Sequence, residues 1–143
     1  MAAAIAEVGT ERACAQLLDN SAARIASVSF RRMIERHGED AGLREALLAR
    51  LDLPMSARVD LVAAAMRAMA GLVADRNWMS DARLQRVGRE ARDRAVIAIS
   101  ASTQGWAATL ELVRHLRDSG DLTLSLVFRA ILSGRIEIGR AHV

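Results

Sequence analysis

The sequence has no lysine, one cysteine, one proline and only four aromatic residues among its 143 positions. The single cysteine, Cys14, excludes an internal disulfide and a cysteine metal cluster. The absence of lysine excludes the glycine-rich phosphate loop that depends on one. With so few rings, a core must be built from aliphatic side chains, and alanine supplies 28 of the residues. Because alanine is the best helix former, this composition favours an all-α fold.

No stretch of the sequence is typical of a membrane span or a secretory leader. The longest uncharged run, residues 95–110, contains Ser, Thr and Gln, whereas a spanning helix needs about 20 mainly apolar residues. The N-terminus carries Glu7 and Glu11 and has no basic leader. We therefore expect a cytoplasmic protein with no membrane partner.

Apolar residues recur at helical spacing along most of the chain, which predicts about seven helices joined by short connections. Residues 2–8 either extend or precede the first of them. The predicted helices cover residues 10–18, 21–37, 41–51, 56–75, 81–100, 106–118 and 124–133. Gly38 is expected to end the second helix in a left-handed conformation. Short connections make successive helices antiparallel neighbours.

The spacing also predicts which helix faces are buried. In the second helix, the predicted stripe includes Ala22, Ile25, Val28 and Met33. In the last helix, the apolar residues are Leu124, Val127, Phe128, Ile131 and Leu132. Met66 and Met69 are expected to be adaptable core packing, or a groove for a partner helix if their helix is exposed.

The sequence contains no constellation typical of an active site. His37 lies beside Gly38 at a predicted helix C-terminus, where a structural role is expected. His115 has no Cys, His or carboxylate at a paired spacing, and three convergent ligands are needed for a metal site. Cys14 lies on an apolar stripe and is expected to be buried. We predict no catalytic residue, cofactor or metal, and we expect that the protein is not an enzyme.

The fifth predicted helix is rich in arginine: Arg83, Arg86, Arg89 and Arg92 follow one another at three-residue spacing. Acidic residues one turn away form the predicted pairs Arg86–Glu90, Arg89–Asp93 and Glu90–Arg94, each contributing about 0.2–0.5 kcal/mol. One interpretation is a solvated, salt-bridged helix. The other is a positive strip for an acidic partner or nucleic acid. Since phosphate-driven binding weakens steeply with salt, a salt titration of binding distinguishes nucleic acid from an acidic protein partner.

Residues 17–33, LLDNSAARIASVSFRRM, resemble a HEAT-type repeat. In such repeats an Asp in the turn and an Arg in the following helix brace neighbouring helix pairs. Asp19 and Arg24 occupy the matching positions, so the resemblance implies a bracing role for them.

Three further motifs resemble a bacterial family known as domain of unknown function 2336. They are Asp-Leu-Pro at 52–54 after a Leu/Arg run, Arg-Ala at 94–95 ending an Arg/Glu-rich helix, and the stretch from Leu122-Thr123 to Arg129-Ala130 before a glycine. The chain departs from the family at Leu51 and Leu124, where members often have proline. The resemblance covers most of residues 11–136, implies a solenoid-like helical fold and supplies no catalytic residues.

The last ten residues, GRIEIGRAHV, do not continue this pattern. Residues 138–143 and a stop can be reverse-translated as ATC GGA AGA GCA CAC GTC TGA, which resembles a sequencing-library adapter. We therefore expect a single helical-repeat domain over residues 1–136, incomplete at its C-terminus, and a non-native tail over residues 137–143. Family members continue with a further helix, so one flank of the last hairpin is expected to be uncovered.

These observations predict an all-α, HEAT-like array of antiparallel helical hairpins, similar to an α-solenoid. Repeat arrays bind through extended surfaces of stacked helices. The expected function is a non-enzymatic scaffold for a protein partner, and the alternative is an arginine-mediated nucleic-acid-binding module. The expected interaction surface consists of Arg83, Arg86, Arg89 and Arg92.

Overall fold

The computed structural model describes residues 1–102 and 105–133, which contain eight helices and no strand. In chain order these are α1 (Ala2–Val8), α2 (Glu11–Asp19), α3 (Ser27–His37), α4 (Ala41–Leu48), α5 (Met55–Asp75), α6 (Asp81–Ser102), α7 (Trp106–Asp118) and α8 (Leu124–Leu132). The all-α prediction is confirmed. The helix beyond the seven predicted is α1, which precedes α2 instead of extending it.

Side-chain oxygens define the start of three helices. Thr10 Oγ1 accepts a hydrogen bond from the Ala13 amide at 3.3 Å, and Asp40 Oδ1 accepts one from Leu43 at 2.7 Å. Thr123 Oγ1 caps α8 in the same way. Each of these bonds satisfies an amide that has no partner within its helix.

The helices form two compact units, unit 1 (Met1–Met79) and unit 2 (Ser80–Val143). In unit 1, α1 and α5 both pack on α3, and α2 packs on α4. Contacts of helix i with helix i+2 are the ones that stacked helical hairpins make. The assignment to the HEAT type stays a prediction.

The core of unit 1 is aliphatic, with one aromatic ring at its centre. Its most deeply buried large side chains are Phe30, Met33, Ile34, Leu43 and Leu47. Cys14 is fully buried among them, as predicted, and burial raises the pKa of its thiol. Cys14 therefore behaves as a small apolar residue.

Helix α3 begins at Ser27, six residues later than predicted, because residues 20–26 form a loop. The carbonyl oxygens of Asn20 and Ala23 each accept a hydrogen bond from the Arg50 guanidinium at 2.8 Å. The Arg50 side chain thus supplies hydrogen bonds to backbone carbonyl oxygens that would otherwise need partners within a helix. Val28, expected to be buried, is exposed.

Gly38 follows α3 but is not left-handed, so that prediction is wrong. Its φ of −67° and ψ of −9° are right-handed. A Cβ at this position would lie 2.9 Å from the Ala64 Cβ. Glycine is therefore suited to this position because it lets the end of α3 approach α5 closely.

Helix α5 is buried along its first half, where Ala57, Val59, Leu61 and Ala64 are almost inaccessible. Met69 and Leu72 in its second half are exposed. Met69 is therefore not core packing, in contrast to the first expectation for the methionines.

In unit 2, α6 packs on α8. Val113 of α7 and Ala130 of α8 are buried, and partly buried Ile97 and Leu122 pack against them. Helix α7 has the predicted bounds. At its end Gly120 is left-handed (φ 77°), and the amides of Asp121 and Leu122 both donate to the Leu116 carbonyl. This turn directs the chain into α8.

Two predictions concern residues that the structure does not describe. The predicted end of α8 at Gly134 and the predicted tail at 137–143 both lie outside the described residues. The single domain over 1–136 and its non-native tail accordingly stay predictions.

Candidate functional site: an apolar stripe beside an arginine cleft

The four arginines of the predicted interaction surface lie on α6 but do not form one uniform strip. Arg83, Arg86 and Arg89 are exposed, whereas Arg92 is half-buried. Arg86, Arg89 and Arg92 line a cleft of about 450 Å³, and Arg83 is not among its lining residues. The structure thus brings three of the four predicted residues together.

This cleft, named here the arginine cleft, lies between α6 and the segment that leads into α8. Its charged lining residues are Arg86, Arg89, Glu90, Arg92, Asp93, Asp121 and Arg129. Four arginines therefore face three carboxylates, and the excess charge is positive.

Two of the three carboxylates in the arginine cleft are already paired. Arg92 Nη1 donates to Asp121, which also accepts a hydrogen bond from Ser119 at 3.1 Å. Asp93 lies 3.5 Å from the Arg129 guanidinium. These pairs join α6 to the α7–α8 connection, through Asp121, and to α8 itself, through Arg129.

The three predicted pairs along α6 do not form. Within the described ranges, Arg86, Arg89 and Glu90 make no ion pair. Asp93, the predicted partner of Arg89, is paired across the cleft with Arg129 of α8 instead. Two guanidinium groups consequently remain available at the edge of the cleft.

Helix α8 buries a different face from the predicted one. Leu126 and Ala130 are buried, and they were not in the predicted set. The apolar residues Leu124, Phe128, Ile131 and Leu132 are exposed; Phe128 is 64% and Leu132 85% accessible. These four residues, named here the α8 stripe, form a continuous apolar face because they are spaced by four, three and one residues on the helix.

The α8 stripe and the arginine cleft share a border along α8. Ser125 and Arg129, one turn apart, point toward Asp93 on α6. Leu132 neighbours Arg129 on the helix surface, at a step of three residues. A ligand lying along the stripe would therefore have one flank beside the cleft.

A second cleft, of about 710 Å³, lies in unit 1 beside residues 21–25 and the end of α4. Arg50 is buried at its base. Its guanidinium makes two hydrogen bonds of 2.8 Å to the two carboxylate oxygens of Asp52. It also donates to the carbonyl oxygens of Leu18, Asn20 and Ala23. Arg50 is therefore a structural clamp on the end of α2 and the following loop.

The Arg50–Asp52 pair was not among the interactions predicted from the sequence. The signal was present, since both residues belong to the Arg-Leu-Asp-Leu-Pro segment at 50–54. The hydrogen bond from Arg50 lowers the pKa of Asp52 and raises the pKa of Arg50. The side chains of Asp19 and Arg24, for which the HEAT resemblance implied bracing, make no hydrogen bond or ion pair in the described part of the chain.

His37 and His115, the histidines that the structure describes, do not assemble a reactive site. His37 is the last residue of α3, and its Nε2 lies 3.3 Å from the Gly9 carbonyl oxygen, so it joins α3 to the α1–α2 turn. His115 lies in the last turn of α7. Across residues 1–102 and 105–133, no three His, Cys, Asp or Glu side chains converge as metal ligands.

None of the helices described is both long enough and apolar enough to cross a membrane.

Comparison with known proteins identifies a family. A family model described as "Uncharacterised protein conserved in bacteria (DUF2336)" matches residues 1–140. No curated protein and no solved structure matches the chain. The segments that carried the resemblance lie at structurally defined places: residues 52–54 join α4 to α5, and residues 122–130 lead into and form most of α8. The chain therefore belongs to the DUF2336 family.

Proposed function

We propose that this protein is a non-enzymatic interaction scaffold of the cytoplasm, and that it binds a helix of a separate protein partner on the α8 stripe. The observation that carries the proposal is the exposure of Leu124, Phe128, Ile131 and Leu132 together on one helix face. Exposed apolar patches of this kind are typical of protein-binding surfaces.

The geometry of the α8 stripe favours a helical ligand. A partner helix with apolar residues at helical spacing could pack along the stripe, as in helix-in-groove recognition. Phe128 lies near its middle, and a large ring at the centre of an interface supplies much of the binding free energy. A HEAT-like solenoid would place such a face on an extended surface.

The alternative function is nucleic-acid binding through the arginine cleft. Arg86 and Arg89, which lack an ion pair in the described residues, favour it. The net positive charge of the cleft is small, with four arginines against three carboxylates, whereas a nucleic-acid binder concentrates positive charge on one face. An apolar face is also of little use to a binder whose affinity comes from phosphate contacts.

The test compares three versions of the full chain: wild type, Phe128→Glu, and Val8→Glu as the matched control. Val8 is also an exposed apolar residue, but it lies on α1. Each version is used to isolate partners from extracts of the source bacterium, and the protein recovered is purified and titrated by calorimetry. We expect Phe128→Glu to weaken binding at least tenfold, a loss of about 1.4 kcal/mol, and Val8→Glu to bind like wild type.

Three outcomes would contradict the proposal. If wild type and Phe128→Glu bind the partner with equal affinity, the α8 stripe is not part of the interface. A wild-type dimer in light scattering that Phe128→Glu dissociates would assign the stripe to a second copy of this chain. Binding of random duplex DNA that falls steeply with salt and ignores Phe128→Glu would favour the alternative function.

A further inference from the structure

We infer that the partner helix is acidic along one flank, and that its carboxylates enter the arginine cleft while its apolar face covers the α8 stripe. This inference rests on the proposed function, since it specifies the chemistry of the ligand bound by the same surface. Three observations carry it: the unpaired arginines of the cleft, their position beside the stripe, and the small number of unpaired carboxylates among the described residues of the cleft.

The first observation is the charge that remains after pairing. Asp121 is occupied by Arg92, and Asp93 by Arg129. Arg86 and Arg89 keep their charge unpaired in the described ranges, and both are exposed at the cleft. Two guanidinium groups one turn apart can each offer a planar fork to a carboxylate.

The second observation is position. Arg129 belongs to the cleft, and on the surface of α8 it neighbours Leu132 of the stripe at a step of three residues. A helix lying on the stripe would therefore place one flank over Arg86 and Arg89. Aspartate or glutamate at successive turns of that flank would face the two guanidinium groups, since helix residues three or four apart share a face.

The third observation concerns the competing occupant, a second copy of this chain. The cleft offers only Glu90 as a carboxylate without an ion pair in the described residues. A second copy placed through the same surface would thus bring more unpaired cations than anions. Complementary charge fixes register and excludes wrong partners, so a separate acidic helix fits this surface better than a copy of itself.

The probe for this inference is a displayed library of random 18-residue peptides with leucine fixed at positions spaced for one helix face. The library is selected against the full wild-type chain, with counter-selection on Phe128→Glu. We expect the selected peptides to be enriched in Asp and Glu on one flank of the leucine face. Selected peptides with neutral or basic flanks would overturn the inference and leave the proposed function standing. A library that yields no peptide dependent on Phe128 would defeat both.

Charge reversal then locates the contact. The test variant is Arg86→Glu with Arg89→Glu, and the matched control is Arg94→Glu with Arg114→Glu. Both control arginines are exposed residues of unit 2 that lie outside the cleft. We expect the test variant to bind a selected acidic peptide at least tenfold more weakly than wild type, as measured by fluorescence anisotropy. The control should lower the affinity by less than threefold.

Equal effects of the two double variants would show that only net charge matters, and this result would overturn a specific site in the cleft. Replacing Glu and Asp of the peptide with Gln and Asn should remove the difference between the variants. Duplex DNA that binds through Arg86 and Arg89 but is unaffected by Phe128→Glu would assign the cleft to nucleic acid and overturn the inference.

Discussion

Arginine side chains in unit 1 bind backbone carbonyl oxygens near helix ends. Arg36 donates to the Ala6 carbonyl at 2.8 Å, and Arg44 to the Gly38 carbonyl at 2.9 Å. Arg50 contacts three carbonyl oxygens besides Asp52. The last carbonyls of a helix have no partner within it, and a guanidinium can reach several at once. A chain that has arginine as its only long cationic residue is well suited to this way of joining helices.

The first prediction concerns Arg50. Arg50→Lys keeps the charge but loses the planar fork, so several acceptors would lose their donor. We expect a loss of about 1–3 kcal/mol in the free energy of unfolding, measured with urea. The matched control is Arg24→Lys, on the loop that Arg50 contacts. Arg24 is exposed and its side chain has no partner in the described residues, so this variant should change stability by less than about 0.5 kcal/mol. Equal free energies of unfolding for Arg50→Lys and Arg24→Lys would contradict the role of Arg50 as a structural clamp.

The second prediction concerns pH. Arg50 holds the pKa of Asp52 below its ordinary value of 3.8, so the folded protein keeps Asp52 ionised to lower pH than the unfolded chain does. The pair therefore stabilises the fold fully above pH 3.8, and this contribution disappears as the pH falls through the lowered pKa. Asp52→Asn should flatten the decline in unfolding free energy between pH 5 and pH 2. Parallel profiles for wild type and variant would contradict this account.

At the scale of a helix, α8 shows that an apolar residue is not necessarily a buried one. Leu126 and Phe128 are two residues apart and lie on different faces of the helix. Leu126 is buried and Phe128 is exposed. The buried face holds α8 in unit 2, which leaves the opposite face available for a ligand.

The third prediction compares truncations on these two faces. Leu126→Ala should lower the free energy of unfolding by about 2–5 kcal/mol, because it leaves a cavity. Phe128→Ala should change it by less than about 0.5 kcal/mol. Both values come from urea unfolding of the full chain. If Phe128→Ala costs as much as Leu126→Ala, the α8 stripe is already covered within the protein and is not a free docking face.

Helices were predictable from the sequence where local signals decided them. The bounds of α7 and the Thr123 cap of α8 follow from glycine positions and capping chemistry. The start of α3 was not predictable in this way, because Arg50, about 27 residues later in the chain, holds the loop before it. Periodicity identified the apolar residues of α8, but the face it buries depends on its tertiary neighbours.

The candidate site was predictable only in part for the same reason. The spacing on α6 identified Arg86, Arg89 and Arg92. The opposite wall of the cleft comes from Asp121 and Arg129, and the Arg92–Asp121 contact joins positions 29 residues apart. A pairing between distant segments leaves no periodic signal, so the sequence suggested pairs within α6 instead.

At the scale of the whole molecule, structural and interaction features fall in different units. The buried clamp of Arg50 and Asp52 lies in unit 1, whereas the α8 stripe and the arginine cleft lie in unit 2. Variants of the clamp should therefore act on stability, and variants of the stripe should act on binding. Membership of the DUF2336 family leaves the function open, so the surface of unit 2 carries the functional proposal.

The most direct test of this account is amide hydrogen exchange of the full chain with and without its purified protein partner. We predict slower exchange in α8 and in the part of α6 that lines the cleft, and unchanged exchange in α1 of unit 1. Protection confined to unit 1, or no protection of α8, would contradict the central claim that the α8 stripe is the partner-binding surface.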